Sequence, residues 1–130
     1  MRAGTFHRGE QQVLACVWHA DRWHLRLRGL LFRAQLQPGQ GMLITPCASV
    51  HTMGMGYPLD LLFLDRHDRA LGWYEALAPW RSASCKGARS TLEMPIGSLA
   101  RIVPEVGQTF CWRAPTGLVD VSLPSKEFQA

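Results

Sequence analysis

The stretch Pro58-Leu59-Asp60-Leu61-Leu62-Phe63-Leu64-Asp65 decides the fold. It is followed by the charged run Arg66-His67-Asp68-Arg69 and then by Ala70-Leu71-Gly72-Trp73-Tyr74-Glu75-Ala76-Leu77. Proline can open a strand but cannot donate to a ladder inside one. Leu59–Leu64 is almost wholly apolar and too short for a helix of usual length, so it reads as a buried strand. The polar run turns the chain, and Ala70–Leu77 returns as the partner. The whole is a hairpin with a long loop.

Working outward toward the C-terminus, Leu77–Ala88 contains Pro79 and reads as loop. Thr91–Met94 reads as a short strand, and Pro95 precedes a short helix over Gly97–Ile102. Pro104 and Gly107 end that unit, Gln108–Trp112 forms a final strand, and Val119–Val121 adds one more. Toward the N-terminus, Cys47–Tyr57 reads as irregular. Met42–Thr45 is a short buried strand stopped by Pro46, after a turn at Gln37–Gly41. Arg22 to Phe32 reads as a helix, with Asp21 as N-cap and Trp23, Leu27, Leu30 and Leu31 on one stripe. Val13–Trp18 reads as the first strand. The expectation is a mainly β, β-rich α+β protein: a compact sandwich or partly open barrel of short strands with about two short helices. All 130 residues form one domain, with a core over about residues 13–112 and flexible tails.

A hydrophobic fraction of 47% against 18% charged residues suits a folded domain rather than a disordered chain. No apolar run approaches the ~18 residues that span a bilayer. No apolar stretch of signal-peptide type follows the basic N-terminus, so the expected compartment is the cytoplasm by default, with the periplasm left open. The net charge of +4 arises in the first quarter of the chain, where Arg2, Arg8, Arg22, Arg26, Arg28 and Arg33 face only Glu10 and Asp21. No run of basic residues interleaved with aromatics appears, which argues against a nucleic-acid partner. Cys16, Cys47, Cys85 and Cys111 make no C-x-x-C pair, so zinc-ribbon and thioredoxin-type sites find no support.

Several segments resemble one family. Arg28-Gly29-Leu30-Leu31-Phe32-Arg33 is similar to its R-G-L-M-x-R stretch, and Pro58–Asp65 to its P-L-D-I-x-F-L-D. Leu92-Glu93-Met94-Pro95 with Gly97 is similar to its L-E-L-x-x-G. Together with Gly41-Met42-Leu43-Ile44 these cover about residues 25–112 of the chain, which resembles the uncharacterised "domain of unknown function 192" family. The larger branch of that family has an aromatic-Trp-Met-Lys-Asn-Thr run before the P-L-D. Here Pro46, Cys47, Ser49, Val50, His51, Thr52 and Met55 resemble a smaller branch with a P-C-x-S-V-H-T-x-x-M pattern. The resemblance implies a compact, mainly β fold and no established activity. The loop Arg66–Arg69 lacks the family's usual glycine.

The side chains that could carry chemistry fall into three groups. Cys47, His51, Met53 and Met55, with Cys85 more distant, offer soft ligands suited to Cu(I), or to Zn. In the plainer reading the sulfurs fill core and no cofactor is held. Asp60 interrupts an apolar strand, so its carboxylate must find a partner; Arg28 and Arg33 are the candidates. Asp60 could instead orient His51 as a base, although no nucleophile motif supports catalysis. Trp80-Arg81, in a Pro-containing loop, is the pair expected to be exposed and able to stack on a ligand or peptide.

The leading expectation is therefore a small non-enzymatic binding or accessory module. Its site is built from the loops Pro46–Tyr57 and Pro79–Ala88, using His51, Thr52, Asp60, Trp80, Arg81, Arg28 and Arg33. Its partner is a small molecule, peptide or protein. One competing class is a metal protein or enzyme using Cys47, His51, Met55, Cys85 and Asp60. Another is a binder of anionic partners through Arg22, Arg26 and Arg33.

Overall fold

In the computed structural model, residues 2–20, 35–52 and 56–115 are described, the side chain of His51 excepted. Nine strands are present among them: β1 (Arg2–Arg8), β2 (Gln11–Ala20), β3 (Gln40–Ile44), β4 (Ser49–His51), β5 (Leu59–Leu64), β6 (Ala70–Leu77), β7 (Ser82–Ser84), β8 (Ser90–Pro95) and β9 (Cys111–Arg113). One helix, α1 (Ser98–Ile102), follows β8. The expected helix over Arg22–Phe32 and the strand over Val119–Val121 lie outside the described residues.

Seven strands form one sheet in the order β6-β5-β8-β3-β2-β1-β9, and β4 and β7 pair separately. The expected hairpin is present as β5 and β6, and β5 is buried on both faces. The β2–β3 pair is parallel and the other pairs are antiparallel, which makes the sheet mixed. The sheet also bends back on itself. Ala70 at the start of β6 exchanges backbone hydrogen bonds with residues 107 and 108, just ahead of β9. Arg69 bridges to Thr109, and the Asp68 carbonyl accepts from the Phe110 amide at 2.9 Å. The architecture is a partly open barrel.

Period-two alternation sorts the strand residues between two apolar clusters. Leu62 and Leu64 of β5, Leu92 and Met94 of β8, and Phe6 of β1 point into the barrel with Leu99 and Ile102 of α1. Leu59, Leu61 and Phe63 point outward and pack with Met42, Ile44 and Val50. Cys47, Tyr57, Ala83 and Cys85 lie partly buried at the rim of this outer cluster.

Two readings from the sequence are corrected here. The core begins at β1 rather than at residue 13, because Arg2–Arg8 pairs along β2 and Phe6 is fully buried. The segments Cys47–Tyr57 and Leu77–Ala88, read as loops, contain β4 and β7, whose partners are Ser49–Ser84, Val50–Ala83 and His51–Ser82. Short Ser-rich segments carry no hydrophobic alternation, so nothing local announces their pairing. Among the described residues no helix is long and apolar enough to cross a membrane.

Candidate functional site

Asp60 is 1% exposed and lies on the barrel-facing side of β5, with Leu62 and Leu64. Its Oδ1 accepts the Ala76 amide at 2.8 Å and its Oδ2 the Leu99 amide at 3.0 Å. The Ala76 amide is freed from the ladder by an irregularity in the β5–β6 pairing between Leu59 and Leu61, and Ala76 itself has φ 53. The Leu99 amide belongs to the first turn of α1, where backbone donors have no partner within the helix. One carboxylate therefore fastens a bulge of the edge strand to the helix that closes one end of the barrel. The expected arginine partners, Arg28 and Arg33, lie outside the described residues. Backbone amides serve both carboxylate oxygens of Asp60.

Thr52 is fully buried. Its Oγ1 accepts from the Arg81 amide at 2.8 Å and lies 2.8 Å from the Ala78 carbonyl and 3.0 Å from that of Arg81, to which it donates. The Trp80 amide donates to the Thr52 carbonyl at 3.1 Å, and Trp80 is held at φ 63 with 68% of its surface exposed. Thr52 thus clips the two expected binding loops together, and Trp80 and Arg81 stand at their surface. Cys47 and Cys85 each pack at the rim of the outer cluster as free thiols, with the Cys85 amide bonded to the Ala48 carbonyl at 3.1 Å. Met53, Met55 and the His51 side chain lie outside the described residues. Among the described residues no three of His, Cys, Asp and Glu gather where an ion could sit.

Among the described residues, Cys47 and Cys85 therefore lie at the outer cluster while Asp60 faces the barrel, on the opposite face of the sheet. What the fold does open is the other end of the barrel. Asp60, Pro95 and α1 close one end; the last residue of β5 and the first of β8 stand at the opposite end, paired as Leu64–Ser90. There a cleft of about 200 Å³ is bounded by residues from six strands and four connecting segments. Its floor is apolar: Leu43, Leu64 and the stacked rings of Phe6 and Phe110, 5.6 Å apart. One wall is Trp112, whose indole N–H donates to the Val17 carbonyl at 2.8 Å and whose ring lies 5.0 Å from that of His19. Gly4 makes this possible, because a Cβ there would meet the Arg113 carbonyl and lie 2.7 Å from the Trp112 ring.

A hydrogen-bonded chain crosses the cleft. His19 Nε2 and Thr45 Oγ1 are 3.3 Å apart, and Thr45 Oγ1 and Ser90 Oγ are 2.7 Å apart. The β5–β6 loop forms the other wall with Arg66 and Asp68. Asp68 has φ 63, a conformation that Asp and Asn tolerate better than most residues, so it replaces the missing glycine. Asp65 organises the same loop: its Oδ1 accepts the His67 and Arg69 amides at 2.8 and 3.0 Å. The Arg69 amide, above all, holds the Asp65 carboxyl below its ordinary range. Burial, and then the charge of Asp65, push Asp68 the other way, while His19 and His67 pull it back. None of the lining residues was singled out as a binding residue from the sequence, because they converge from segments scattered over more than a hundred positions. Only the charge density of Arg66–Arg69 hinted at the site.

A second feature was also missed. Glu93 in β8 is 5% exposed, and its Oε1 has no hydrogen-bond partner among the described residues. Its register neighbours are Met42 and Leu61, both apolar members of the outer cluster. Desolvation alone pushes its pKa up to about 8. Among the described residues the buried Tyr57 hydroxyl also makes no hydrogen bond of ordinary geometry, although the Leu36 backbone acts on it. Burial and then the charge of Glu93 raise the Tyr57 pKa, against a smaller pull from the Leu36 backbone.

Comparison with known proteins places this geometry in context. Residues 5–112 match the family DUF192, described as an uncharacterized ACR. A Novosphingobium aromaticivorans protein of unknown function superposes with a TM-score of 0.69 at 21% identity, over 85% of this chain and 84% of its own. A Sinorhizobium meliloti protein, provisionally described as a transcription regulator, superposes with a TM-score of 0.66 at 22% identity, over 75% of this chain and 81% of its own. No curated protein matches the chain.

Proposed function

This chain belongs to the DUF192 family, and from that premise we propose that it is a non-enzymatic binding module whose small ligand sits in the open mouth of the barrel. The observation that carries the proposal is the cleft itself: an apolar floor crossed by the His19–Thr45–Ser90 chain. Barrel mouths are common ligand sites, and a few convergent polar groups over an apolar surface are what fixes a ligand's orientation. Among the described lining residues none stands as an activated nucleophile held by a base and an orienting carboxylate, which favours binding over catalysis.

A second surface is supported by a different observation. Thr52 fixes Trp80 with its ring outward beside Arg81, a pair suited to docking a peptide or protein segment. Two further readings stay proposals for separate tests: soft-metal binding by Cys47, His51, Met55 and Cys85, and an anionic macromolecular partner at Arg22, Arg26 and Arg33. The provisional description of the Sinorhizobium meliloti protein lends the last of these only the weight of a shared fold.

An NMR screen of the full chain with small fragments tests the main proposal. Hits should shift the amides of His19, Thr45 and Ser90 and the Trp112 indole, and leave Leu99 and Ala76 unmoved. Hits confined to Trp80 and Arg81 would transfer the binding role to the loop surface.

A further inference from the structure

Resting on the reading of the barrel mouth as a ligand site, we infer that its ligand is a small organic oxyanion, a carboxylate or phosphate on a compact apolar body, gripped by Arg89 and Arg66.

The charge around the cleft favours this class. Among the described residues, Arg66, Arg89 and His19 line it against the carboxylate of Asp68. Just behind, the Arg2 guanidinium lies 5.0 Å over the Trp112 ring. The nearby Asp65 adds little negative charge, since Arg69 pairs with it at 3.1 Å. Among the described lining residues the balance is positive even with the His19 imidazole neutral.

The arginines are also free to act. Other arginines of the sheet are committed to the protein: Arg8 donates to the Ile102 carbonyl at 2.7 Å and Arg113 to the Gly9 carbonyl at 2.8 Å. Arg89 is exposed, and its guanidinium has no partner among the described residues. Arg66 uses only its Nε, on His67 at 3.2 Å, which leaves its terminal nitrogens available. A guanidinium fork matches the two oxygens of a carboxylate or phosphate, and such charge-assisted pairs are stronger than neutral ones.

The hydroxyls complete the head-group site. Ser90 is 3% exposed, and its Oγ lies 2.7 Å from Thr45 Oγ1, at the inner end of the chain that begins at His19. Each hydroxyl has one hydrogen to place, so the pair can donate outward to a ligand oxygen when His19 donates to Thr45. Below them the partly exposed Trp112 offers ring surface to an apolar body, backed by the buried, stacked rings of Phe6 and Phe110. The cleft of about 200 Å³ falls short of the ~300–1,000 Å³ usual for drug-sized ligands, so it suits an acid about the size of benzoate and not a nucleotide.

The test measures calorimetric affinities of the full chain for benzoate, benzamide, benzylamine and inorganic phosphate. Shifts at His19 and at the Trp112 indole locate each ligand. Benzoate should bind about tenfold or more tighter than its neutral isostere benzamide. That advantage should shrink as salt is added. R89A and R89Q should abolish it without moving the thermal midpoint, because Arg89 is exposed. Competition by phosphate would assign the head group to both oxyanions, and its failure would narrow it to carboxylates. Benzamide or benzylamine binding at the mouth as tightly as benzoate would overturn the oxyanion and leave the site standing. Silence of the mouth resonances toward all four compounds would remove the site and the inference together.

Discussion

At the scale of single residues, the polar side chains inside this protein divide into satisfied fasteners and orphans. Asp60 is a fastener: both carboxylate oxygens take backbone amides, one from an edge-strand bulge and one from the closing helix. Asp60→Ala leaves a buried N–H at Leu99 and a part-buried one at Ala76 without their acceptor and should cost ~2–4 kcal/mol of stability, read from urea denaturation. Asp60→Asn should recover only part of that, since its NH₂ group must face an amide donor. An alanine variant as stable as the parent would refute the fastening role. The sequence made Asp60 conspicuous because a carboxylate in an apolar run demands a partner. It did not show that the partners are amides sixteen and thirty-nine residues away.

At the scale of elements, β9 is the piece that turns an open sheet into a walled cleft. It pairs along β1 over three residues, Cys111–Arg113, and sends the Trp112 indole across to β2. That crossing depends on a glycine in the strand beneath. Gly4→Ala inserts a methyl group where the Trp112 ring and the Arg113 carbonyl already sit. The expected result is displacement of β9 at a cost on the order of 2 kcal/mol, with a lower urea midpoint and a shifted Trp112 indole resonance. An unshifted indole in a fully stable variant would show that β9 adapts. The hairpin β5–β6 was legible down to its ends, because its hydrophobic run is long and bounded by Pro58 and a charged loop. β1, β4 and β7 were not, because Ser, Gly and Arg carry little strand signal and their pairing energy comes from neighbours far along the chain.

At the scale of the whole molecule, stability carries a pH dependence written by Glu93. The carboxyl is ordinary when unfolded, near 4.5, and burial lifts it to about 8 in the folded chain. Between those values the folded protein holds a proton that the unfolded chain has released. This contribution is therefore complete below about pH 4.5 and is lost as pH rises through about 8. Asp65 acts in the opposite sense at acid pH, but its exposed position makes that effect small. Thermal midpoints measured from pH 5 to 9 should fall with rising pH. Glu93→Gln should flatten the curve and be the more stable protein at the alkaline end. Parallel curves for the two proteins would show that Glu93 does not set the slope.

By itself the sequence determined the β-rich class, the central hairpin, the short helix after β8 and the family, since each rests on local periodicity, punctuation residues or ordered motifs. It also determined that Asp60 needs a partner. Only the tertiary structure decided which groups meet. Alternation along β5 sends Asp60 into the barrel and its neighbours outward, so the carboxylate and the thiols of Cys47 and Cys85 fall on opposite faces of one sheet. The same closure gathers Phe6, His19, Thr45, Arg89, Ser90 and Trp112 at one end. No local property of these residues marks them as neighbours, because their proximity arises from strand pairing and the return of the sheet upon itself.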